Sequence, residues 1–265
     1  MVGVFAALTR LLALIFAAVL AVKAGAQTRT YSTKELLARP DAATIAIPND
    51  SGYNRAMTYR AVPLGALLSE LPFARYEALQ IIATDGFVAE VPASLVQRSG
   101  GARAWLAIDD PQNPWPNLPG KSYGAGPFYL VWEHPEGSKI ASEQWVTATG
   151  AIVGADPPIR RWPRLDVGPY ASASLKRGMN AYVTQCLPCH RFEGAGASDL
   201  GPDLGRPMNV TRYMTSGGIR AIVRDPRAVR SWPQMRMPGF SRVMLSDADL
   251  DAVVLYLTDK ATTKP

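Results

Sequence analysis

The chain has 265 residues, of which 48% are hydrophobic and 19% charged, and this globular composition excludes an intrinsically disordered protein. Its formal net charge is +6, and the positive excess lies near the end, with 13 Lys and Arg against 8 Asp and Glu from Ala171 onward. The two cysteines, Cys186 and Cys189, cannot build a disulfide framework. With only His134 and His190 beside them, most zinc, copper and His-based catalytic sites are excluded. Any metal or redox chemistry must therefore centre on one short segment.

An apolar run near the N-terminus, Leu11 to Val22, is flanked by two basic residues. It is too short to span a bilayer comfortably, but its length suits the core of a secretory signal. Ala24-Gly25-Ala26 has the small-x-small pattern that signal peptidase accepts. We therefore expect residues 1–26 to be a signal peptide and the mature protein to be periplasmic. The alternative is an uncleaved anchor, and we expect membrane association only in that case.

Residues 27–155 have a mixed pattern that predicts a strand-rich α+β region. Runs rich in apolar and β-branched residues predict strands at 44–48, 79–84, 87–91, 104–108, 128–132 and 145–153. Helices are predicted at 33–37, capped by Ser32, and at 63–71, which begins with a proline. The Pro- and Arg-rich segment 156–169 is interpreted as a linker between two domains.

Residues 170–265 change to a helical pattern and predict a small all-α domain. Apolar residues recur on one helical face from Leu175 to Cys186. The same spacing returns from Leu250 to Leu257, behind Ser246 as a helix cap with Asp249 three residues later. The whole chain is therefore predicted to be α+β, with a strand-rich first domain followed by a helical one.

The sequence Cys186-Leu187-Pro188-Cys189-His190 carries the most specific signal in the chain. Two thiols at this spacing can add to the two vinyl groups of a haem, and the following imidazole then reaches the iron. A thioredoxin-like redox pair also uses two cysteines around two residues, but that pair begins a helix after a strand, whereas this one ends an amphipathic helix. A structural zinc site lacks a second ligand pair. We predict one covalently attached haem c.

The sixth ligand of the iron is sought among the methionines that follow this motif, Met208, Met214, Met235, Met237 and Met244. Met237 precedes Pro238 and Gly239, a rigid turn that can direct a thioether towards the iron. Met235 is its rival because it lies on the same segment. An open sixth position would instead indicate a haem-based sensor or ligand binder.

The stretch from Leu175 to Leu257 resembles a class I cytochrome c domain. The matching elements are Arg177-Gly178, the CLPCH motif, Gly201-Pro202-Asp203-Leu204, Met237-Pro238 and the final helix LDAVVLYL. The resemblance implies that His190 and Met237 are the axial ligands and that the Pro202 carbonyl accepts a hydrogen bond from His190. It also implies that Gly178 lets the first helix cross closely against the last, near Tyr256. Ligation by His and Met is typical of an electron carrier.

Residues from about Tyr31 to Val153 resemble the molybdopterin-binding fold of the sulfite oxidase family. The resemblance rests on RAVPL at 60–64, IATDGF at 82–87, WLA at 105–107 and GPFYLV at 126–131. Members of that family bind molybdenum through a cysteine thiolate, and residues 27–155 contain no cysteine. We therefore interpret this domain as a non-catalytic relative.

These observations predict an electron carrier that works between a donor dehydrogenase and an acceptor cytochrome or oxidase, without nucleic acid as a partner. The alternative is the haem-containing subunit of a sulfite-dehydrogenase-like molybdenum system. The arginines between Arg206 and Arg242 either steer an acidic partner or form an ordinary solvated surface.

Overall fold

The computed structural model describes residues 28–29, 31–70, 72–97 and 100–262 of the chain. The predicted signal peptide, residues 1–26, lies outside these described residues. Within the described ranges, no helix has the combined length and apolar character that a membrane crossing requires. A strand-rich first region precedes a helical second region, which confirms the predicted α+β class.

The first region is built from two four-stranded antiparallel sheets, with strand orders β1-β8-β4-β5 and β2-β3-β6-β7. The strands are β1 (Thr28–Arg29), β2 (Ala43–Asp50), β3 (Arg55–Pro63), β4 (Ala78–Ala83), β5 (Val88–Pro92), β6 (Arg103–Ile108), β7 (Phe128–Glu133) and β8 (Thr149–Ala155). The short helices α1 (Thr33–Leu37), α2 (Leu64–Ser69) and α3 (Ala93–Gln97) lie between strands. Strands β6 and β7 are almost wholly buried along their paired length, because both are nearly continuous apolar runs.

The predicted strands and helices of this region are present, although one strand begins later than predicted and β1, β3 and α3 were not predicted. The Ser32 hydroxyl accepts a hydrogen bond from the Glu35 backbone N–H at 3.1 Å and so caps α1 as expected. The strand predicted from residue 145 begins only at Thr149, because Ala148 has a positive φ of 50° that a strand cannot accommodate. Strand β3 was not predicted, since its first half is largely exposed and lacks an apolar alternation.

The segment 156–169, predicted to be a linker, is ordered and packs against both regions. It contains α4 (Pro158–Arg161) and a 3-10 turn at Pro163–Leu165. The Arg161 guanidinium pairs with the buried Glu90 carboxylate on β5 at 2.5 Å. On the other side, the Tyr256 hydroxyl donates to the backbone carbonyl of the fully buried Leu165 at 2.9 Å. The connection therefore fixes the two regions to each other.

The second region consists of the helices α5 (Ala173–Ala181), α6 (Ser216–Arg224), α7 (Pro226–Val229) and α8 (Asp247–Thr262), joined by long loops. The Ser246 hydroxyl accepts from the Asp249 backbone N–H at 3.1 Å, so this predicted cap is present at the start of α8. Helix α5 packs directly on α8, with Tyr182 and Tyr256 forming a tilted ring contact at 5.4 Å between centroids.

The crossing of α5 and α8 depends on the absence of a side chain at Gly178. A Cβ built there would overlap the Ala252 carbonyl oxygen and would lie 2.9 Å from the Tyr256 Cβ. Backbone atoms of α8 cannot move aside as the end of a flexible side chain could. The structure therefore requires glycine at this point, as the resemblance to class I cytochrome c domains implied.

We expect Gly178→Ala to destabilise the second region by about 1–3 kcal/mol, because overpacking forces the two helices apart. Gly217→Ala is the matched control, since it also adds a Cβ to a helix but its nearest atom is the Thr215 Oγ1 at 3.9 Å. The control should change stability by no more than about 1 kcal/mol, in the stabilising direction. Thermal unfolding followed by circular dichroism measures the stability of both variants. If Gly178→Ala and Gly217→Ala melted at the same temperature, the close crossing would be contradicted.

Candidate functional site

The two cysteines and His190 are held on one tight turn that follows α5. The helix does not continue regularly to Cys186 as the sequence predicted, because its backbone widens to a π-helical turn at Tyr182–Cys186. The N–H groups of Cys189 and His190 both point to the Cys186 carbonyl oxygen, at 3.1 and 2.8 Å. Single π-helical turns of this kind are frequent at functional sites. The turn brings both thiols and the imidazole within one short stretch of backbone.

The environment of the thiols argues against a catalytic redox pair. Cys186 and Cys189 are free, and burial raises the pKa of each thiol to about 12, with the nearby Glu143 carboxylate acting in the same direction. Catalytic redox cysteines need the opposite, a lowered pKa that maintains a thiolate. Among the described residues, no group of three or more His, Cys, Asp and Glu side chains is placed to hold a metal ion by itself.

The His190 imidazole is oriented by the backbone of a neighbouring loop. Its Nδ1 lies 2.8 Å from the carbonyl oxygen of Pro202, so the neutral ring donates its Nδ1–H there and keeps the Nε2 lone pair free. Burial lowers the pKa of His190, which favours this neutral form. Gly201 lies against the ring, and a Cβ at this position would overlap the imidazole atoms. The loop therefore both aligns the ring and restricts its movement.

Asp203 holds this loop in place, a role that the sequence motif alone did not reveal. Its carboxylate accepts backbone N–H groups from both sides of the loop, those of Glu193, Gly194, Gly205 and Arg206, at 2.6–3.0 Å. Burial alone would raise the pKa of Asp203, but these four donors lower it below its usual value. The carboxylate is thus ionised at neutral pH and fixes the position of the Pro202 carbonyl.

Met235 and Met237 lie on the loop between α7 and α8, and each is half-buried. The Met235 backbone N–H donates to the Trp232 carbonyl at 3.1 Å, so Met235 ends a turn rather than continuing an extended segment. Its side chain lines an open surface hollow of about 450 Å³, together with Arg227, Ser231, Trp232 and Pro233. Met237 lies beyond this hollow, where the sequence continues with Pro238.

The loop is anchored to α6 directly after Met237-Pro238. A Cβ at Gly239 would lie 2.6 Å from the Arg224 carbonyl oxygen, and the Phe240 N–H donates to the Val223 carbonyl at 2.9 Å. The Arg224 guanidinium donates in turn to the carbonyls of Phe240, Ser241 and Leu245. Helix α6 and its arginine were not predicted, because the Ser216-Gly217-Gly218 start obscures the helical pattern.

Residues 175–260 match the cytochrome c protein family. They form a cytochrome c domain. This match covers only the last third of the chain, and the likeness of residues 27–155 to the sulfite oxidase family stays a prediction. No solved structure matches the chain.

A cytochrome c domain implies covalently bound haem c, and the residues of this one fit that group. The required donors are two unpaired thiols, an imidazole with a free Nε2, and the loop between α7 and α8 that carries Met235 and Met237, here called the methionine loop. Directly after His190, the Arg191 Nε is buried and has no hydrogen-bond partner among the described residues. An unmet donor at this position leaves room for an acceptor that the chain does not itself provide.

The first region packs against the haem-attachment turn of the cytochrome c domain, which the sequence did not predict. The Val88 N–H at the start of β5 donates to the Pro188 carbonyl, inside the CLPCH turn, at 3.3 Å. The Ser198 hydroxyl donates to the Gly86 carbonyl at 2.9 Å. The Ser142 hydroxyl donates to the Gln185 side chain at 3.3 Å. These contacts join residues far apart in the sequence and cover one side of the turn.

Gln185 connects the first region to the methionine loop as well. Its side chain is buried, and its Nε2 donates to the Met244 carbonyl at 3.1 Å while its Oε1 accepts from Ser142. A single amide therefore links the first region, the haem-attachment turn and the segment that follows Met237.

We expect the change of both Cys186 and Cys189 to Ala to abolish covalent haem attachment, because no other thiol exists in the chain. The measurement is a denaturing gel stained for haem, in which colour stays with the wild-type polypeptide and is absent from the double variant. Colour on the double variant would show that attachment does not use these thiols. The single variants should each retain weaker colour through the one remaining thioether.

Proposed function

We propose that this protein is a periplasmic, monohaem c-type cytochrome that transfers electrons between a donor dehydrogenase and a respiratory acceptor, either a cytochrome or an oxidase. The observation that carries the proposal is the His190 ring, which the Pro202 carbonyl orients and which lies on the same turn as two free, half-buried thiols. The export signal expected at residues 1–26 supports the periplasmic location. We place the domain boundaries at residues 27–155, 156–169 and 170–265.

We assign the axial ligands of the iron to His190 and Met237. Support for Met237 over Met235 comes from the loop: Met235 lines a surface hollow beside Trp232 and Arg227, whereas Met237 lies beside the part of the loop anchored to α6. Imidazole and thioether ligation raises the reduction potential and fills both axial positions. A filled sixth position suits electron transfer rather than gas binding.

The arginines of the cytochrome c domain support an acidic redox partner. Several are neutralised within the domain, since Arg220 pairs with Asp251, and both Arg224 and Arg242 pair with Asp247. Arg227 and Arg230, in contrast, have no ion pair with any described residue. They flank the exposed Trp232, over whose ring the Arg230 guanidinium lies at 4.9 Å. This basic, aromatic surface beside the methionine loop suits an acidic protein surface.

The second candidate function is the haem-containing subunit of a sulfite-dehydrogenase-like molybdenum system. The contact between β5 and Pro188 favours it, because a cofactor in the first region would have a short path to the haem. The absence of a cysteine from residues 27–155 favours the non-catalytic interpretation instead.

Metal analysis distinguishes these two candidates. Protein matured in a host that makes the pterin cofactor should contain stoichiometric iron, no stoichiometric molybdenum and no sulfite-dependent turnover. We expect this result because the family's thiolate ligand is missing. One equivalent of molybdenum with sulfite turnover would establish the second candidate.

The axial assignment predicts different behaviour for two neighbouring methionine variants. Met237→Ala should remove the weak sulfur-to-iron charge-transfer absorption of the oxidised protein, lower the reduction potential and open the iron to carbon monoxide. Met235→Ala, the matched control on the same loop, should leave all three properties nearly unchanged. Optical spectra and redox titrations measure the three effects. The reverse pattern would identify Met235 as the ligand.

A further inference from the structure

The first region contributes a short turn to the haem-attachment side of the cytochrome c domain. This 3-10 turn, Ser142–Gln144, packs against β5 and against the π-helical turn that ends at Cys186. It is fixed at both ends of its contact: the Ser142 hydroxyl donates to Gln185, and the Trp132 indole N–H donates to the Gln144 carbonyl at 2.8 Å. The residue between these two anchors, Glu143, therefore has little freedom to move.

Glu143 lies on the turn that packs against the Tyr182–Cys186 segment, and its neighbour Ser142 is hydrogen-bonded to Gln185, the residue before Cys186. Burial is the main cause that raises the pKa of the Cys186 and Cys189 thiols, and the charge of Glu143 acts in the same direction. Burial raises the pKa of Glu143 itself to about 7, and the neighbouring Ser142 side chain only partly opposes this effect. No described Lys, Arg or His side chain forms an ion pair with it. Glu143 is thus a half-buried carboxylate without a countercharge among the described residues, on the turn that packs against the segment ending at Cys186.

We propose that Glu143, supplied by the first region, sets the reduction potential of the haem bound through Cys186 and Cys189. The proposal rests on the proposed electron-transfer function. The first region then has a definite task, which is to place a charge next to the cofactor of its neighbour.

The physical basis is the charge that haem gains on oxidation. When the haem passes one electron to a redox partner protein, it gains one positive charge. An ionised carboxylate nearby stabilises this oxidised haem. When Glu143 is protonated it no longer does so. Around its pKa, oxidation of the haem releases a proton from Glu143 to solvent, and reduction takes one up again. The reduction potential should therefore fall as the pH rises through this range.

The other ionisable groups near Glu143 do not share this position. On β5, Glu90 is paired with Arg161, and in the turn before β5 Asp85 lies 3.8 Å from Arg236. On the π-helical turn, burial holds the pKa of Tyr182 well above its usual value. The two thiols cease to titrate once they form thioethers, and His190 is committed to the iron. The propionates of the bound haem are the remaining acids, and a Glu143 variant separates their effect from that of Glu143.

The test is the midpoint potential of the full chain as a function of pH, in the wild type, Glu143→Gln and Glu143→Asp. At about pH 9 Glu143→Gln should have the higher potential, with the ratio of oxidised to reduced protein changed about tenfold, or 59 mV for one electron. At about pH 5, where Glu143 is protonated, the two proteins should agree. Glu143→Asp should keep a pH-dependent potential. Glu136 is an exposed acid in the preceding turn, so Glu136→Gln is the matched control and should follow the wild type.

Two results would overturn the proposal: equal potentials of the wild type and Glu143→Gln at about pH 9, or an unchanged pH dependence in Glu143→Gln. If Glu143→Gln fails to mature, a wild-type potential that is flat between about pH 6 and pH 9 would have the same consequence. The optical spectrum of the wild type tests the proposed function separately, because a missing sixth ligand would produce a high-spin reduced spectrum. A six-coordinate wild type with a pH-independent potential would therefore reject only the role of Glu143.

Discussion

The position of the haem-binding turn depends on the close crossing of α5 and α8 at Gly178. Because the α8 backbone occupies the space of a side chain there, the axis of α5 is fixed, and with it the place where Cys186 leaves the helix. The ring contacts among Tyr182, Phe192 and Tyr256 then fill the space below the turn. A helix pair that could slide would not hold two thiols and an imidazole in register with one macrocycle.

Two charged side chains extend this order to the two loops that carry Pro202 and Met237. The Asp203 carboxylate accepts hydrogen bonds from several backbone N–H groups and so fixes the position of the carbonyl that orients His190. The Arg224 guanidinium donates hydrogen bonds to several backbone carbonyls and so fixes the loop that follows Met237. In each case one ionised group meets several backbone partners of opposite polarity, which makes long irregular segments as well defined as the helices. The first region adds a third contact surface through Ser142, Gly86 and Val88.

The sequence predicted what depends on local chemistry and missed what depends on distant contacts. The CLPCH motif and the Ser246 cap are each defined by neighbours in the chain, so they could be identified directly, whereas the glycine at the helix crossing was expected only from the resemblance to class I cytochrome c domains. The strand expected from residue 145 was wrong because Ala148 has a left-handed conformation that composition does not reveal. Glu143 is an ordinary acid in the sequence, and only the folding of residues 142–144 onto residues 182–186 places it beside the cysteines.

The proposed function requires one haem c per chain, with both axial positions of the iron filled by side chains of the protein. The most direct measurement is the optical spectrum of the purified full chain in both oxidation states, with and without carbon monoxide, together with the ratio of haem to polypeptide. The account predicts one haem per chain, low-spin spectra in both states and no change on addition of carbon monoxide. A high-spin reduced spectrum that shifts with carbon monoxide would contradict it and would indicate a ligand-binding haem.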